Sequence, residues 1–307
     1  MKINFIWFLF FCLIACNQKK NKKIIDSEKE TAGIKKNDLP GNQYNFAVPD
    51  KVWEMPPDLL EISGICFNKE RKILCHQDQN GKIFVFNLKT SNIENTIKFF
   101  SKGDFEDIAY NNDTVYVLRS DGKIFQVTNY LSTKPNTIQI NTFLDSDNNP
   151  EGLAYDKEKN RLLVACKGNS GIKDASNSTK AVYSVTLPEN KMQEAPAFII
   201  TKKALEKKFG SKIEIEPSAI AIHPLSKNIF ILGTKGEKVL VELLPDGTIL
   251  HVTNLTNELF IQPEGITFDN NGDMFISNEG KNIIANMLLL KTKKRTPANI
   301  LLFKLKK

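Results

Sequence analysis

Short apolar runs alternate with polar positions along most of the chain, and clusters of Asn, Asp, Gly and Lys separate them. Five segments share one opening: a small or acidic residue, then Gly, Asp or Ala, then an apolar-rich triplet. They read SGICF from Ser63, EDIAY from Glu106, EGLAY from Glu151, SAIAI from Ser218 and EGITF from Glu264. The intervals between them are 43, 45, 67 and 46 residues, and 43 residues follow the last. A period of about 45 residues belongs to propeller repeats, and the third interval needs an insertion of about 22 residues beyond it. Each copy continues with a polar turn and a second apolar run: ILCHQ, VYVLR, LLVAC, IFILG or MFIS. A Gly-containing turn and a third run follow: IFVFNL, IFQVTN, AVYSVTL, VLVELL or NILLFKL. Runs of this length, β-branched and aromatic between turn residues, read as strands. Four copies add a more polar fourth strand: IENTIKFF, NTIQINTF, PAFIIT and TILHVTNL. The pattern predicts an all-β protein, a β-propeller of four-stranded blades.

The fifth copy ends after NILLFKL without a fourth strand. The stretch YNFAVPDKVWEM ahead of the first copy supplies a spare one, and pairing the two closes the ring and removes two sheet edges. Five blades follow, with six the alternative if the third interval hides a degenerate blade. Within that interval TKKALEKKFG reads as a short helix ending at Gly210.

Strands in such a blade succeed one another outward from the axis. The start of each first strand therefore lies at one mouth of the central channel. The second strand runs antiparallel and returns to that mouth. An inner ring of Ser63, Glu106, Glu151, Ser218 and Glu264, with Asp107 beside it, meets a rim from the second-strand ends. The rim holds His76, Asp78, Arg119, Lys167, Thr234, Lys235, Asn278 and Glu279. Carboxylates crowded on a narrow axis take up protons, pair with cations or bind a metal. Three outcomes stay open: pairing with Arg119, Lys167 or Lys235; calcium held by Glu106, Asp107, Glu151 and Glu264, an ion suited to many oxygen ligands; or acids accepting backbone N–H bonds from neighbouring blades. His76 is the only histidine on this rim, and with no GxSxG motif it defines no triad. The long turn Lys167–Lys180 overhangs the same mouth as a gate.

The first residues change the setting. MKINFIWFLFFCLIAC carries one Lys and an apolar run from Ile3 to Ala15, too short to span a bilayer comfortably and laid out as a secretory signal. It ends in Leu13-Ile14-Ala15-Cys16, which resembles a bacterial lipobox with Cys16 as the lipidated residue. Residues 1–15 then form the signal peptide, residues 16–43 a disordered Lys-rich tether, and residues 44–307 the propeller. The net charge of +7 collects largely in the tails and forms no basic stripe interleaved with aromatics, so no nucleic-acid partner is expected. Five cysteines include no CxxC pair, which argues against a zinc site. Cys66, Cys75 and Cys166 read as buried thiols, with a Cys66–Cys75 bridge the alternative.

As a set, LEISGICFN from Leu60, FEDIAY from Phe105, NPEGLAYD from Asn149, EPSAIAIHP from Glu216 and QPEGITFDNNGDMFISNE from Gln262 resemble the SdiA-regulated protein family. The resemblance runs from about Asn45 to Leu305 and implies a secreted or lipid-anchored bacterial propeller. The last copy also resembles an NHL-type repeat. More distantly the chain is similar to gluconolactonase- and paraoxonase-type propellers, which hold calcium in the channel with a Glu at the start of an inner strand. Glu151 and Glu264 match that Glu, and the other ligands do not map.

Two functions are carried forward. One is a monomeric binding module of the cell envelope, with a membrane lipid anchor at Cys16, a small-molecule or protein ligand and calcium at the channel mouth. The other is a calcium-dependent phosphoesterase or lactonase at that mouth. The fold hosts both.

Overall fold

Side chains that alternate along a strand need two covered faces when sheets stack around an axis. The computed structural model, which describes residues 43–234, 237–284 and 293–306, meets this need with a ring of five antiparallel blades. Strand β1 (Lys51–Glu54) precedes the first blade, β2 (Ile62–Phe67), β3 (Ile73–Gln77), β4 (Asn80–Asn87) and β5 (Asn92–Lys102). The second blade is β6 (Phe105–Asn111), β7 (Thr114–Arg119), β8 (Ile124–Thr128) and β9 (Asn136–Ile140). The third is β10 (Pro150–Asp156), β11 (Arg161–Cys166) and β12 (Lys180–Thr186), with its outer edge split into β13 (Lys191–Met192) and β14 (Phe198–Ile200). Helix α1 (Lys202–Phe209) leads to the fourth blade, β15 (Pro217–Ile222), β16 (Ile229–Gly233), β17 (Lys238–Leu243) and β18 (Ile249–Leu255). The fifth is β19 (Pro263–Phe268) and β20 (Met274–Asn278), then a separate two-stranded hairpin of β21 (Lys281–Ile284) and β22 (Lys293–Thr296), then β23 (Asn299–Phe303). Five blades are observed. The hairpin was not visible in the repeat, because it interrupts the fifth copy between its second and third strands.

The missing outer strand of blade five is β1, which pairs antiparallel with β23 from Lys51↔Leu302 to Glu54↔Asn299. Trp53 fastens this closure. Its ring stacks on Phe275 at 5.9 Å between centroids, and its Nε1 donates to Leu88 O of blade one at 2.8 Å. Upstream, Tyr44 is buried and its hydroxyl donates to Gly272 O, while Phe46 packs on Phe303. The Lys306 N–H donates to Gln43 O at 3.0 Å. The signal peptide, Cys16 and nearly all of the tether lie outside the described residues, as does Lys235.

The core is divided among the five seams between blades. One apolar cluster fills each: Leu74, Ile83 and Phe105 between blades one and two; Tyr116, Leu118 and Leu162 between two and three. Leu163, Ile200 and Ile231 fill the third seam, Phe230, Phe260 and Phe303 the fourth, and Trp53, Ile73 and Ile300 the last. No seam belongs to a single blade, so each blade is held by both neighbours. The expected helix is present in the third interval. Thr201 caps it by accepting from Ala204 N at 3.2 Å, Gly210 ends it at φ 85°, and Leu205 anchors it in the seam of blades three and four.

Cys66, Cys75 and Cys166 are free thiols. Cys66 pairs with Leu74 and Cys75 with Ile65, so adjacent rows place the two cysteines on opposite faces of the blade. That offset excludes the alternative bridge in this register. Burial pushes all three thiols up in pKa, Cys166 to about 12.

Trp53→Ala removes the ring that ties β1 to blades five and one. It should cost about 3–5 kcal/mol, the range for truncating a buried aromatic, read as a lower urea midpoint with an unchanged slope.

Candidate functional site

Every inner strand carries a β-bulge at the same place. In blade two Phe105 pairs with Arg119 and Asp107 with Leu118, which leaves Glu106 as the extra residue. In blades three, four and five the extra residues are Glu151, Ser218 and Glu264. In blade one the register jumps from Ile62↔Gln77 to Ile65↔Cys75, across Ser63 and Gly64. Pro150, Pro217 and Pro263 each open their strand, where the absent N–H costs the ladder nothing. A bulge re-aims the side chain it carries. Here it brings three glutamates together at one mouth.

These acids feel one another strongly. Burial, then Glu151 and Asp104, push the Glu106 carboxyl up to about 9. Burial raises Glu264 to about 7 against the pull of Lys167. Glu151 is raised by burial too, although Lys167 Nζ lies 2.7 Å from its Oε2 and Asn149 Nδ2 donates to its Oε1 at 2.8 Å. Burial pulls the Lys167 ammonium down, but Glu151 and the other two glutamates outweigh it and hold it above its ordinary value. Further round, Glu279 is pushed up to about 8 by burial and then by Glu264, Asp78 and Glu61, and Gln262 Nε2 donates to it. Asp78 rises to about 6 through burial and the nearby Glu61. Among the described residues, Lys167 thus faces a chain of carboxylates.

The neighbouring position is different chemistry. Asp107 was expected among the metal or ligand residues of the mouth, and the structure places it in the sealed channel instead. Its Oδ1 accepts from Ile108 N at 2.8 Å and its Oδ2 from Leu153 N of blade three at 2.7 Å; the Ile220 N–H of blade four also reaches it. Complete burial still pushes its carboxyl well up against those donors. Gly64 of blade one sits so close that a Cβ there would lie 2.5 Å from Asp107 Oδ1. Asp107 therefore joins blades, as the third of the open outcomes has it. Ser218 Oγ, donating to Pro263 O at 3.0 Å, and Ser277 Oγ, donating to Ser63 O at 2.9 Å, link two further pairs. Below them Ile65, Ile108, Leu153, Ile220 and Ile266, all buried, occupy one position of the repeat and close the channel.

The rim divides. Lys167, Asp78 and Glu279 join the acidic mouth. Arg119 does not: it grips Asp121 through Nε at 2.9 Å and Nη2 at 2.8 Å, and lies over the Phe100 and Phe125 rings. A two-residue spacing to Asp121 beats a longer reach across the channel. His76 and Asn278 are not exposed rim residues either; both are fully buried. Burial holds the His76 imidazole down at about 4 and its Nε2 has no partner. Asn278 Nδ2 donates to Asn299 Oδ1 at 2.9 Å, while its Oδ1 has no partner, as is also true of Asp78 Oδ1. The Lys167–Lys180 turn is tied down by its own flank, Lys180 Nζ donating to Gly168 O at 3.0 Å and Tyr183 to Ser170 O at 2.8 Å. Thr234 N–H donates to Glu216 O.

Glu61, Asp104, Asn149 and Gln262 were missed as site residues. Each stands two positions before its bulge residue, as Glu216 does in blade four. That polar column was readable in the repeat. Among the described residues no three His, Cys, Asp or Glu side chains form a ready cage for a metal ion.

A family model described as SdiA-regulated matches residues 37–281. No curated protein matches the sequence. Among solved structures, the glutaminyl cyclase of Myxococcus xanthus aligns at TM-score 0.53 and 11% identity, over 83% of this chain and 96% of that one. A luciferin-regenerating enzyme aligns at TM-score 0.47 and 10% identity, over 83% and 95%. The PQQ-bound aldose sugar dehydrogenase of Streptomyces coelicolor aligns at 0.46 and 10%, over 83% and 97%. Likeness at this identity is likeness of fold.

The raised carboxyls fix a pH dependence. A carboxyl raised on folding binds its proton more tightly in the native state, so its stabilising share is present at low pH and is lost as pH climbs toward the folded value. Stability should fall between about pH 5 and the Glu106 value of about 9. Glu106→Gln should flatten that slope and add at least about 1 kcal/mol at pH 8, with less gain at pH 5, in paired urea titrations.

Proposed function

The chain belongs to the SdiA-regulated family, and on that premise we propose that it is a binding module of the bacterial cell envelope whose acidic mouth takes a cationic ligand. A lipid on Cys16 would hold it at the membrane, since the short apolar run ends at that cysteine. The observation that carries the reading is the charge imbalance among the described residues: Glu106, Glu151 and Glu264 share Lys167, with Glu279 and Asp78 alongside. Buried carboxylates in that number hold protons or attract a cation. Asp78 Oδ1 and Asn278 Oδ1, buried and unpartnered, add acceptor oxygens at the same end. The donor set is oxygen throughout and therefore suits a hard ion such as calcium, or the ammonium group of a larger ligand.

The hydrolase alternative would use the same mouth. It needs a base beside the ion. His76, the one histidine at this end, is sealed from solvent, so the base would have to be a carboxylate such as Glu264, drawn from the same set that would hold the ion. Binding is the simpler use of the groups present.

Calcium titrated into the purified chain at pH 8 should raise its melting temperature, and EDTA should reverse the rise. The rise should shrink at pH 5, where protons compete for the same oxygens. Saturating a site at about 100 times its Kd adds about 2.7 kcal/mol. The Glu151→Gln, Glu264→Gln double variant should lose the response. No shift with calcium at either pH, or an undiminished shift in the double variant, would remove calcium from the reading.

A further inference from the structure

The opposite end of the closed channel has another chemistry. There the inner strands finish, and residues from all five blades surround an open funnel of about 410 Å³, within the range of about 300–1,000 Å³ typical of small-molecule sites. The repeat position that ends each inner-strand pattern is occupied by Phe67, Tyr110, Tyr155, Ile222 and Phe268, so four of these five wall positions are aromatic. Phe67, Tyr110 and Tyr155 are half-buried and line the funnel. Asn111, Asn112 and Asn270 reach the same space from the turns beyond.

The acids at this end are paired. Asp113 pairs with Lys69 at 2.7 Å, Asp269 with Arg71 at 3.0 Å and Asp156 with Arg161 at 2.9 Å. Lys157 also lines the funnel, but with these acids paired a cationic ligand would find little here to neutralise it. A purely apolar one would strip water from the asparagine amides and leave them unpaired. A sugar ring meets both demands. Its C–H faces lie against aromatic rings, and its hydroxyls both donate to and accept from amides. We propose that this funnel, separate from the acidic mouth, is a binding site for a neutral saccharide, with Tyr110 and Tyr155 as the platform and Asn112 and Asn270 as the hydroxyl-reading groups.

Saturation-transfer difference NMR tests this on the full chain in a detergent without sugar headgroups. The probes are glucose, galactose, mannose, N-acetylglucosamine and their disaccharides at millimolar concentration. Saturation is expected on the ring protons of at least one probe, with at least a five-fold loss in Tyr155→Ala. Because Tyr155 lies in an inner strand, Asn112→Gly, which keeps the left-handed backbone of that turn (φ 43°), and Asn270→Ala provide the second arm and should also weaken the transfer. The idea is overturned by no transfer to any probe, or by transfer that survives all three substitutions. Transfer that appears only with calcium present points to the acidic mouth and overturns it as well.

Discussion

Five twisted sheets drawn onto one axis leave almost no room at the centre, and the rest of the molecule follows from how that crowding is met. The position after each bulge is Gly64, Asp107, Gly152, Ala219 or Gly265. Four are small enough to let backbones touch; at Gly265 a Cβ would lie 2.6 Å from Ser63 O. The fifth is Asp107, whose carboxylate occupies the space the others vacate and gathers N–H groups from its own blade, from the adjacent blade three and from blade four across the axis. With the axis so filled, the channel is not a conduit. It becomes two separate basins, and each is free to have its own chemistry.

The two basins are electrostatic opposites. At the bulged end, among the described residues, carboxylates outnumber the cations that face them, and burial denies them water, so each pushes its neighbours' protons on more tightly. At the other end every nearby acid described above has its own Lys or Arg. The difference has a local origin. Glu106, Glu151 and Glu264 sit where inner strands begin, on bulges that force them inward, and Asp78 and Glu279 follow the second strands. Those at the far end sit in turns or, as Asp156 does, at a strand end, where they accept from turn N–H groups and can reach a neighbouring cation, as Asp269 does with Asn271 N, Asp273 N and Arg71.

The blades were legible because a propeller repeats its polar–apolar pattern every turn of the ring, and five copies outweigh the noise in each. Closure by the N-terminal strand followed from counting strands. The bulge was not legible. An extra residue leaves the apolar alternation after it intact, so EGLAY reads as a plain strand, and only the pairing with β11 shows that Glu151 has no partner. This is why Glu106 and Asp107 looked alike in sequence yet separated in space, one into the mouth and one into the seal. Arg119 was misread for a related reason. Sequence lists a cation at the rim, but the nearer Asp121 two residues away had already claimed it. His76 and Asn278 were placed at the correct end, while their burial depended on neighbouring blades that a single copy cannot reveal.

The anchoring of Tyr44 and Phe46 ahead of β1 has a mechanical consequence. Strand β1 completes the last blade, and everything upstream leads into it. A pull on that upstream segment would meet the aromatic plug first: Tyr44 held to Gly272 O, Phe46 wedged between Phe260 and Phe303, and Gln43 bonded to Lys306. The plug sits in the seam of blades four and five, not in the four-residue ladder of β1. It works like the clamp on a cable, taking the load before the load reaches the connection that keeps the ring shut.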